Sequence, residues 1–356
     1  MNTQSAQALE LPPLPSEQLL IEHLPPWQGE NALVVSPGRS QLASATAEAN
    51  PGGQVTAYYL DLFDATATLR FWTQAIVDSP LPFQIACGAD LPDERLDLFA
   101  FAVLKRGEAE LTRDWLQQAH QLLNIGGCMA VSVDNPKDTW LHDQMRSMFR
   151  KVTAIRKSEG CVFIAYKDVE LKKQRDFSCQ FSFRDEQHVI QVVSRPGVFS
   201  HRKLDNGARQ LLNVAEIGEE DRVIDMGCGC GTVALGAACR TRKEVIGVDS
   251  NARAVECLIN GARLNGLENV HGLHNCDGQF DLESPVDLVL ANPPYYGDNT
   301  IAQHFVDAAL ANLRSGGALL TVAKQTSWLE DYMQIHFEDV QVIESGSYRV
   351  VCGRRP

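Results

Sequence analysis

The sequence has no excess of positive charge and no long apolar run. Its 32 lysines and arginines face 45 aspartates and glutamates, so the formal net charge is −13. Proteins that bind nucleic acid over a broad surface are usually basic, so any such contact must depend on a local basic face. No apolar stretch reaches membrane-spanning length, and the N-terminus lacks a basic segment followed by an apolar one. We therefore expect a cytoplasmic, monomeric protein that contacts no membrane.

Cysteine pairs with the spacing of a disulfide framework or a zinc site are also missing. The ten cysteines are scattered and mostly lie inside apolar runs, as Cys128 and Cys257 do. This distribution is typical of reduced core thiols in a cytoplasmic protein. Cys228 and Cys230 are separated by a single residue, and no second ligand pair accompanies them. We therefore expect no metal site.

What the sequence does contain is a weak internal repeat. Three landmarks recur at an offset of 190 residues: a strand entering a turn at Leu33 and Val223, an aspartate-led apolar strand at Asp97 and Asp287, and a Gly-Gly pair at Gly126 and Gly316. With 356 residues, the chain is also too long for one ordinary core. We predict two similar α/β domains, over residues 1–168 and 201–356, with a linker and hairpin at 169–200 between them.

Apolar runs alternate with helical patterns in the second copy. Strands are predicted at 222–226, 244–248, 270–273, 288–291 and 318–323, with helices at 232–239, 252–265 and 301–313. This alternation predicts a doubly wound, Rossmann-like and mostly parallel sheet. Antiparallel hairpins are predicted at 340–344 with 348–354, and at 177–183 with 188–193.

The turn after the first strand of the second copy is typical of a nucleoside-cofactor site. Gly227, Gly229 and Gly231 remove Cβ atoms where the chain passes from strand to helix, so a cofactor can lie against the backbone. Asp225 ends the strand and can accept a hydrogen bond from an ammonium group. Asp249 ends the next strand, where an acidic side chain takes ribose hydroxyls. Considered alone, this turn would also suit NAD. The predicted cofactor contacts also include Cys228 and Ser250.

The end of the third strand predicts the adenine edge of the same site. Cys276 and Asp277 follow that strand, and Asp277 is a candidate acceptor for the adenine amino group. An aspartate that simply closes a turn before Gly278 is the alternative interpretation.

Residues 292–295 read Asn-Pro-Pro-Tyr and predict a clamp for a planar amino group. The Asn292 side-chain oxygen and the Pro293 carbonyl can accept the two hydrogens of an NH₂ group. Pro294 stiffens the loop together with Pro293, and the Tyr295 ring offers a surface on which a base can stack. With the glycine turn upstream, this predicts S-adenosyl-L-methionine as the cofactor and methyl transfer to nitrogen, with Asn292 also near the cofactor. The motif leaves adenine N6, cytosine N4, guanine N2 and a glutamine amide open.

The first copy lacks both features. Its turn reads Ser36-Pro37-Gly38, with Val35 at the position of Asp225, and Ala-Val-Leu-Lys at 102–105 stands opposite the clamp. We predict that this domain keeps the scaffold and has no catalytic function. Basic residues cluster in three segments, at 146–157, 172–175 and 195–203, which fits either a local RNA-binding face or ordinary solvated surfaces.

Over almost its whole length, the chain resembles the two-domain ribosomal RNA guanine-N2 methyltransferases, the family of the small-subunit methyltransferase C and its large-subunit relative. The resemblance rests on the degenerate first domain, the Pro-Gly-Val-Phe-Ser segment at 196–200, Leu-Asp-Asn-Gly at 204–207, the glycine turn and the clamp. It implies two tandem class I methyltransferase-like domains that act on ribosomal RNA or a ribosomal subunit. It also implies that Phe199 and Asp205 border the methionine end of the cofactor. Tyr295-Tyr296-Gly297 replaces the Phe-His pair that commonly follows Asn-Pro-Pro in the family.

Two other functions fit the same motifs. A protein-glutamine methyltransferase that modifies a release factor would need the same amide clamp. A non-catalytic ribosome-assembly factor would bind RNA and merely retain the pocket.

Overall fold

The computed structural model describes residues 12–76, 79–294 and 299–356. The chain divides into two compact units, Met1–Phe177 and Ser178–Pro356. The predicted first boundary, residue 168, therefore falls inside the first unit. The predicted linker and hairpin, 169–200, is divided between the two units instead of standing apart from both.

The N-terminal unit is built on a seven-stranded sheet with the order β3-β2-β1-β4-β5-β7-β6. Its strands are β1 (Asn31–Val35), β2 (Gln54–Tyr59), β3 (Gln84–Cys87), β4 (Leu96–Val103), β5 (Leu123–Val133), β6 (Val152–Arg156) and β7 (Cys161–Tyr166). Its helices are α1 (Pro15–Glu22), α2 (Gln41–Ala49), α3 (Leu62–Ala75), α4 (Ala109–Leu122) and α5 (Trp140–Met148).

The C-terminal unit begins with a two-stranded hairpin and continues as a second seven-stranded sheet with the order β12-β11-β10-β13-β14-β16-β15. The hairpin is β8 (Cys179–Asp185) and β9 (His188–Ser194). The sheet strands are β10 (Val223–Met226), β11 (Val245–Asp249), β12 (Val270–His274), β13 (Val286–Ala291), β14 (Leu313–Ala323), β15 (Glu338–Ser345) and β16 (Tyr348–Arg354). The helices are α6 (Asn206–Val214), α7 (Thr232–Ala238), α8 (Ala252–Asn265), α9 (Thr300–Asn312) and α10 (Ser327–His336).

The two sheets have the same strand order, the same parallel core and the same antiparallel edge hairpin. Both even interrupt their register at equivalent places, between Leu96 and Leu98 in β4 and between Val286 and Leu288 in β13. The predicted fold class is therefore confirmed: both domains are doubly wound, methyltransferase-like α/β units. A shared topology with shared irregularities is what duplication of one domain produces.

Burial on both faces explains why the central strands read as continuous apolar runs. All four residues of β10 are buried, and Val289, Leu290 and Ala291 of β13 are fully buried. Helices cover a parallel sheet on both sides, so hydrophobic side chains are required on each face. Asp225 is the only charged residue of β10. It lies toward the carboxyl edge of the sheet, where ligands bind in such folds.

One predicted boundary was wrong for a physical reason. The helix predicted to end at residue 313 ends at Asn312, and β14 starts at once at Leu313 instead of at residue 318. Leu313 pairs with Val286 and Ala318 pairs with Leu288. The register shifts between these two pairs, and the Gly-Gly pair lies in the shifted part of β14. Gly316 has a φ of +75°, which glycine adopts readily. The Gly-Gly pair therefore predicted a turn, although it lies within β14.

Candidate active site

A cleft lies at the carboxyl edge of the C-terminal sheet. It brings together seven residues that were predicted from the sequence: Phe199, Asp205, Asp225, Gly227, Cys228, Gly229 and Asn292. The sequence reasoning missed five further lining residues: Ser200, Ala208, Cys230, Thr232 and Val233. Only their position in the sequence could have indicated them, because each lies within three residues of a predicted site residue.

The glycine turn has the backbone that its sequence requires. Gly227, Gly229 and Gly231 have φ angles of +73°, +53° and +84°, where a side chain is strained. A Cβ at Gly231 would stand 2.5 Å from Cδ1 of Leu258, so this glycine lets α7 approach α8. A Cβ at Gly229 would project into the cleft toward Phe199, 3.8 Å from its carbonyl oxygen. The turn therefore leaves room for a ligand against the backbone.

Asp225 is a buried carboxyl group at the floor of the cleft. It is 2% exposed, and its Oδ2 accepts a hydrogen bond of 2.9 Å from the backbone N–H of Ala234 in α7. The pKa of Asp225 is raised to about 7, mainly by burial; the Ala234 hydrogen bond lowers it and the nearby Asp249 adds a smaller increase. A cation that enters the cleft would stabilise the ionised form of this buried carboxyl group.

Asp249 holds the glycine turn in place. Its Oδ2 accepts from the N–H of Gly229 at 2.8 Å, and its Oδ1 accepts from the N–H of Asn251 at 2.9 Å. Ser250, the next residue, has its carbonyl oxygen 2.9 Å from Nε2 of His274. The predicted contact of Asp249 with ribose hydroxyls stays a prediction.

Two side chains fix the segment that carries Phe199. Nδ2 of Asn251 donates to the Gly197 carbonyl at 2.7 Å, and Nη1 of the fully buried Arg253 donates to the Pro196 carbonyl at 2.9 Å. Phe199, which follows, is 59% exposed although it lines the cleft. A large aromatic ring held at the mouth of a cleft is suited to contact with a ligand.

Asn292 is hydrogen-bonded to Asp205, an arrangement that the sequence did not predict. Nδ2 of Asn292 donates to Oδ2 of Asp205 at 2.9 Å, across 87 residues of sequence. The same Oδ2 accepts from the N–H of Ala208 at 2.9 Å, because Asp205 is the N-cap of α6. Pro293 is buried and Pro294 is half-buried. Tyr295, the predicted stacking ring, lies outside the described residues.

Cys276 and Asp277 form a turn after β12. Oδ1 of Asp277 accepts from the N–H of Gln279 and from Nδ2 of Asn275, each at 3.0 Å. The Gln279 hydrogen bond, followed by the Asn275 bond, lowers the pKa of Asp277. This is the turn-closing geometry of the alternative interpretation, and contact with adenine remains a prediction.

Cys228 and Cys230 of the glycine turn are buried thiols. Burial raises the pKa of Cys228 well above its usual value and that of Cys230 to about 12. All ten cysteines are free. Within residues 12–76, 79–294 and 299–356, no three His, Cys, Asp or Glu side chains are grouped so as to hold a metal ion. The helices in these ranges are also too short or too polar to cross a membrane.

In the N-terminal unit, a glutamate occupies the region of the equivalent turn. Glu17 is the third residue of α1, as the cleft residue Ala208 is of α6. Its Oε1 accepts from the N–H of Leu42 in α2 at 3.0 Å. A Cβ at Gly38 would stand only 2.6 Å from its Oε2. The Glu17 side chain thus lies against the turn that stays open in the C-terminal unit.

Comparison with known proteins agrees with this geometry. Residues 189–352 match the family model of the methyltransferase small domain. The matched region contains the glycine turn, Asp249 and Asn292. The match begins inside β9, so β8 lies outside the matched region and almost all of β9 lies inside it.

Relatives of known name support the same assignment. The ribosomal RNA small subunit methyltransferases C of Hahella chejuensis and Alcanivorax borkumensis are 31% and 35% identical to this chain over 50% and 45% of its length. The chain spans about half the length of these relatives, 54% and 51%. Their names match the resemblance seen in the sequence motifs, which is thereby confirmed.

A solved structure matches both domains. It is a T. Thermophilus 16S rRNA N2 methyltransferase in complex with AdoMet and guanosine, with a TM-score of 0.78 and 23% identity. The match covers 96% of this chain and 92% of that one. The tandem two-domain fold is therefore shared by the two proteins.

Proposed function

We propose that the C-terminal domain transfers a methyl group from S-adenosylmethionine to the exocyclic N2 amino group of a guanosine in ribosomal RNA. The observation that carries this proposal is the oriented amide of Asn292, held by Asp205 at the edge of the cleft that contains Asp225 and the glycine turn. Such an arrangement suits the positioning of an amino group rather than covalent catalysis.

The cleft fits the proposed cofactor in shape and in charge. The glycine turn removes side chains where a nucleoside would lie against the backbone. Asp225 supplies a buried carboxyl group for the ammonium of the methionine moiety, and Phe199 supplies an aromatic wall at the mouth. The cofactor would supply a methyl group bonded to a sulfonium.

The chain's residues would act by holding the acceptor nitrogen. Oδ1 of Asn292 and the carbonyl oxygen of Pro293 accept the two N–H groups of the amine. This draws the N2 lone pair out of conjugation and aims it at the methyl carbon. A bound cofactor would supply the methyl group to this nitrogen, and the electron pair of the broken S–C bond would remain on its sulfur. The alkylated nitrogen then loses one proton to water, so no side chain is needed as a base.

Ribosomal RNA as the substrate is supported by three observations. The curated relatives are named as ribosomal RNA methyltransferases, and the fold is shared with one such enzyme over both domains. Arg202 and Lys203 are exposed in the segment between the cleft residues Ser200 and Asp205. Phosphate contacts at such a local patch can offset an acidic total charge. An enzyme with this substrate would work in the cytoplasm.

We assign cofactor chemistry to the C-terminal domain alone. Val35 replaces the carboxylate at the end of β1, and Glu17 lies in the region that a cofactor would need. The N-terminal domain would then contribute to folding or to holding RNA.

One experiment tests the proposed function. Cofactor labelled on its methyl group is offered with naked ribosomal RNA, assembled ribosomal subunits and release-factor protein, side by side. Label in RNA that is recovered as N2-methylguanosine after digestion supports the proposal. Label in protein indicates a glutamine methyltransferase, and label at adenine or cytosine indicates another base. Tight cofactor binding without transfer to any substrate would favour the non-catalytic assembly factor.

A further inference from the structure

The Asp205–Asn292 pair links two segments that only the fold brings together. Asp205 precedes the first turn of α6, and Asn292 follows the last residue of β13. Oδ2 of Asp205 is fixed by the backbone N–H of Ala208 at 2.9 Å, so the carboxylate has little freedom to follow the amide. It is therefore the amide of Asn292 that must adapt to the carboxylate.

This bond decides which end of the Asn292 amide faces the substrate. An ionised carboxylate only accepts hydrogen bonds, so the atom that faces Asp205 must be the NH₂ group. Oδ1, the other branch of the amide, then points away from Asp205. An amide turned by 180° would present donors to an amino group that itself offers donors. That orientation would repel the acceptor amine instead of holding it.

We propose that Asp205 is a positioning residue that acts through Asn292 by locking its amide with Oδ1 as the substrate acceptor. The inference rests on the proposed N-methyltransferase function. It assigns Asp205 to the reaction with the amine, whereas the family resemblance placed it beside the methionine end of the cofactor. The two roles predict different results for the same substitution.

The decisive variant is Asp205→Asn. Asparagine caps helices about as well as aspartate, so α6 keeps its N-cap. The amide oxygen that caps α6 can still accept from Nδ2 of Asn292, but a neutral oxygen is a weaker acceptor than a carboxylate and holds the Asn292 amide less firmly. We expect single-turnover methylation to slow by ~5–10-fold, the difference between a hydrogen bond to a charged group and one to a neutral group. The dissociation constant for S-adenosylmethionine, measured by calorimetry, should change by less than about twofold.

A double-mutant comparison separates action through Asn292 from any other action. In an Asn292→Ala background, Asp205→Asn should cause no further loss of rate, because the residue through which it acts is absent. Asp61 provides the matched control, since it caps α3 in the same way by accepting from the N–H of Phe63 at 2.8 Å. Asp61→Asn should leave the methylation rate unchanged. If Asp205→Asn lowers the melting temperature, Asp205→Ser, which also caps helices, replaces it.

Each outcome has a definite meaning. If Asp205→Asn increases the dissociation constant for the cofactor and leaves the rate at saturation unchanged, Asp205 is a cofactor contact and the inference is wrong. An equal loss of rate with and without Asn292 would also overturn it. If the wild-type protein methylates RNA and Asp205→Asn is equally fast, only the inference fails. If the wild-type protein transfers no methyl group to RNA, the proposed function itself fails.

Discussion

The buried carboxyl group of Asp225 should make cofactor binding depend on pH near neutrality. In the free protein, burial raises the pKa of Asp225 to about 7 from an ordinary value of 3.8. Binding of the cofactor's ammonium requires the ionised carboxylate. At pH 6.0 only about one tenth of the protein has Asp225 ionised, and at pH 7.5 about three quarters does. The cofactor's own amino group is almost fully protonated at pH 6.0 and about two thirds protonated at pH 7.5, which works in the opposite direction. The affinity should therefore be about sixfold weaker at pH 6.0.

The same group should oppose folding at high pH. Its folded-state pKa is raised, so the folded protein holds a proton that the unfolded chain releases between pH 3.8 and about 7. The free energy of unfolding therefore falls as the pH rises through that window. A shift of this size corresponds to about 4 kcal/mol over the whole window. Asp225→Asn should raise the melting temperature of the free protein at pH 8 and should abolish cofactor binding.

Calorimetry in buffers of different ionisation enthalpy measures both the affinity and the proton exchange. At pH 6.0, binding should release about 0.9 proton per cofactor. Asp331→Asn, at an exposed position of α10, serves as the control and should change neither quantity. A dissociation constant that is flat from pH 6.0 to 7.5, with no proton released, would refute the reasoning. It would mean that Asp225 is already ionised in the free protein or does not meet the ammonium.

Three further predictions follow from the same geometry. Asn292→Ala should reduce the rate of methylation by on the order of 10²-fold with little change in cofactor affinity, because one oriented acceptor is lost; weaker cofactor affinity with a normal saturated rate would contradict this. Calorimetry should find one S-adenosylmethionine per chain and no preference for NADH, whereas two equivalent sites would mean that the N-terminal turn is still open. Glu17→Gln should raise the melting temperature more at pH 8 than at pH 5, because burial raises the pKa of Glu17 and its stabilising proton is lost as the pH rises; an equal effect at both values would show that Glu17 does not change its ionisation between them and would contradict the prediction.

Local sequence predicted the features that depend on backbone alone. The glycine turn was visible because three positive φ angles require glycine at Gly227, Gly229 and Gly231. The strands of the C-terminal sheet were visible because a parallel strand buried on both faces must be apolar throughout. The repeat at a fixed offset then predicted two domains of one topology, and the sheets have that topology.

Contacts between distant segments were beyond the reach of local patterns. The bond between Asp205 and Asn292 depends on where α6 lies relative to the end of β13, which neither segment encodes by itself. The role of Arg253 was hidden in the same way, because an arginine at the start of a helix reads as a surface residue. Its side chain is instead fully buried and holds the loop at Pro196.

The N-terminal unit shows why a degenerate motif is an incomplete description of a lost site. The internal repeat located the loss in the turn, where Val35 stands at the position of Asp225 and Pro37 at that of Gly227. The structure places a second change on α1, where Glu17 stands at the helix position that Ala208 occupies beside the open cleft. Its carboxylate accepts from the first turn of α2, much as Asp225 accepts from the first turn of α7. Restoring the glycines and an aspartate at position 35 would therefore leave the Glu17 side chain in the site. It would also add a second buried carboxyl group near the first turn of α2. Because two such groups raise each other's pKa and oppose burial, the glutamate has to be removed before the turn can accept a cofactor.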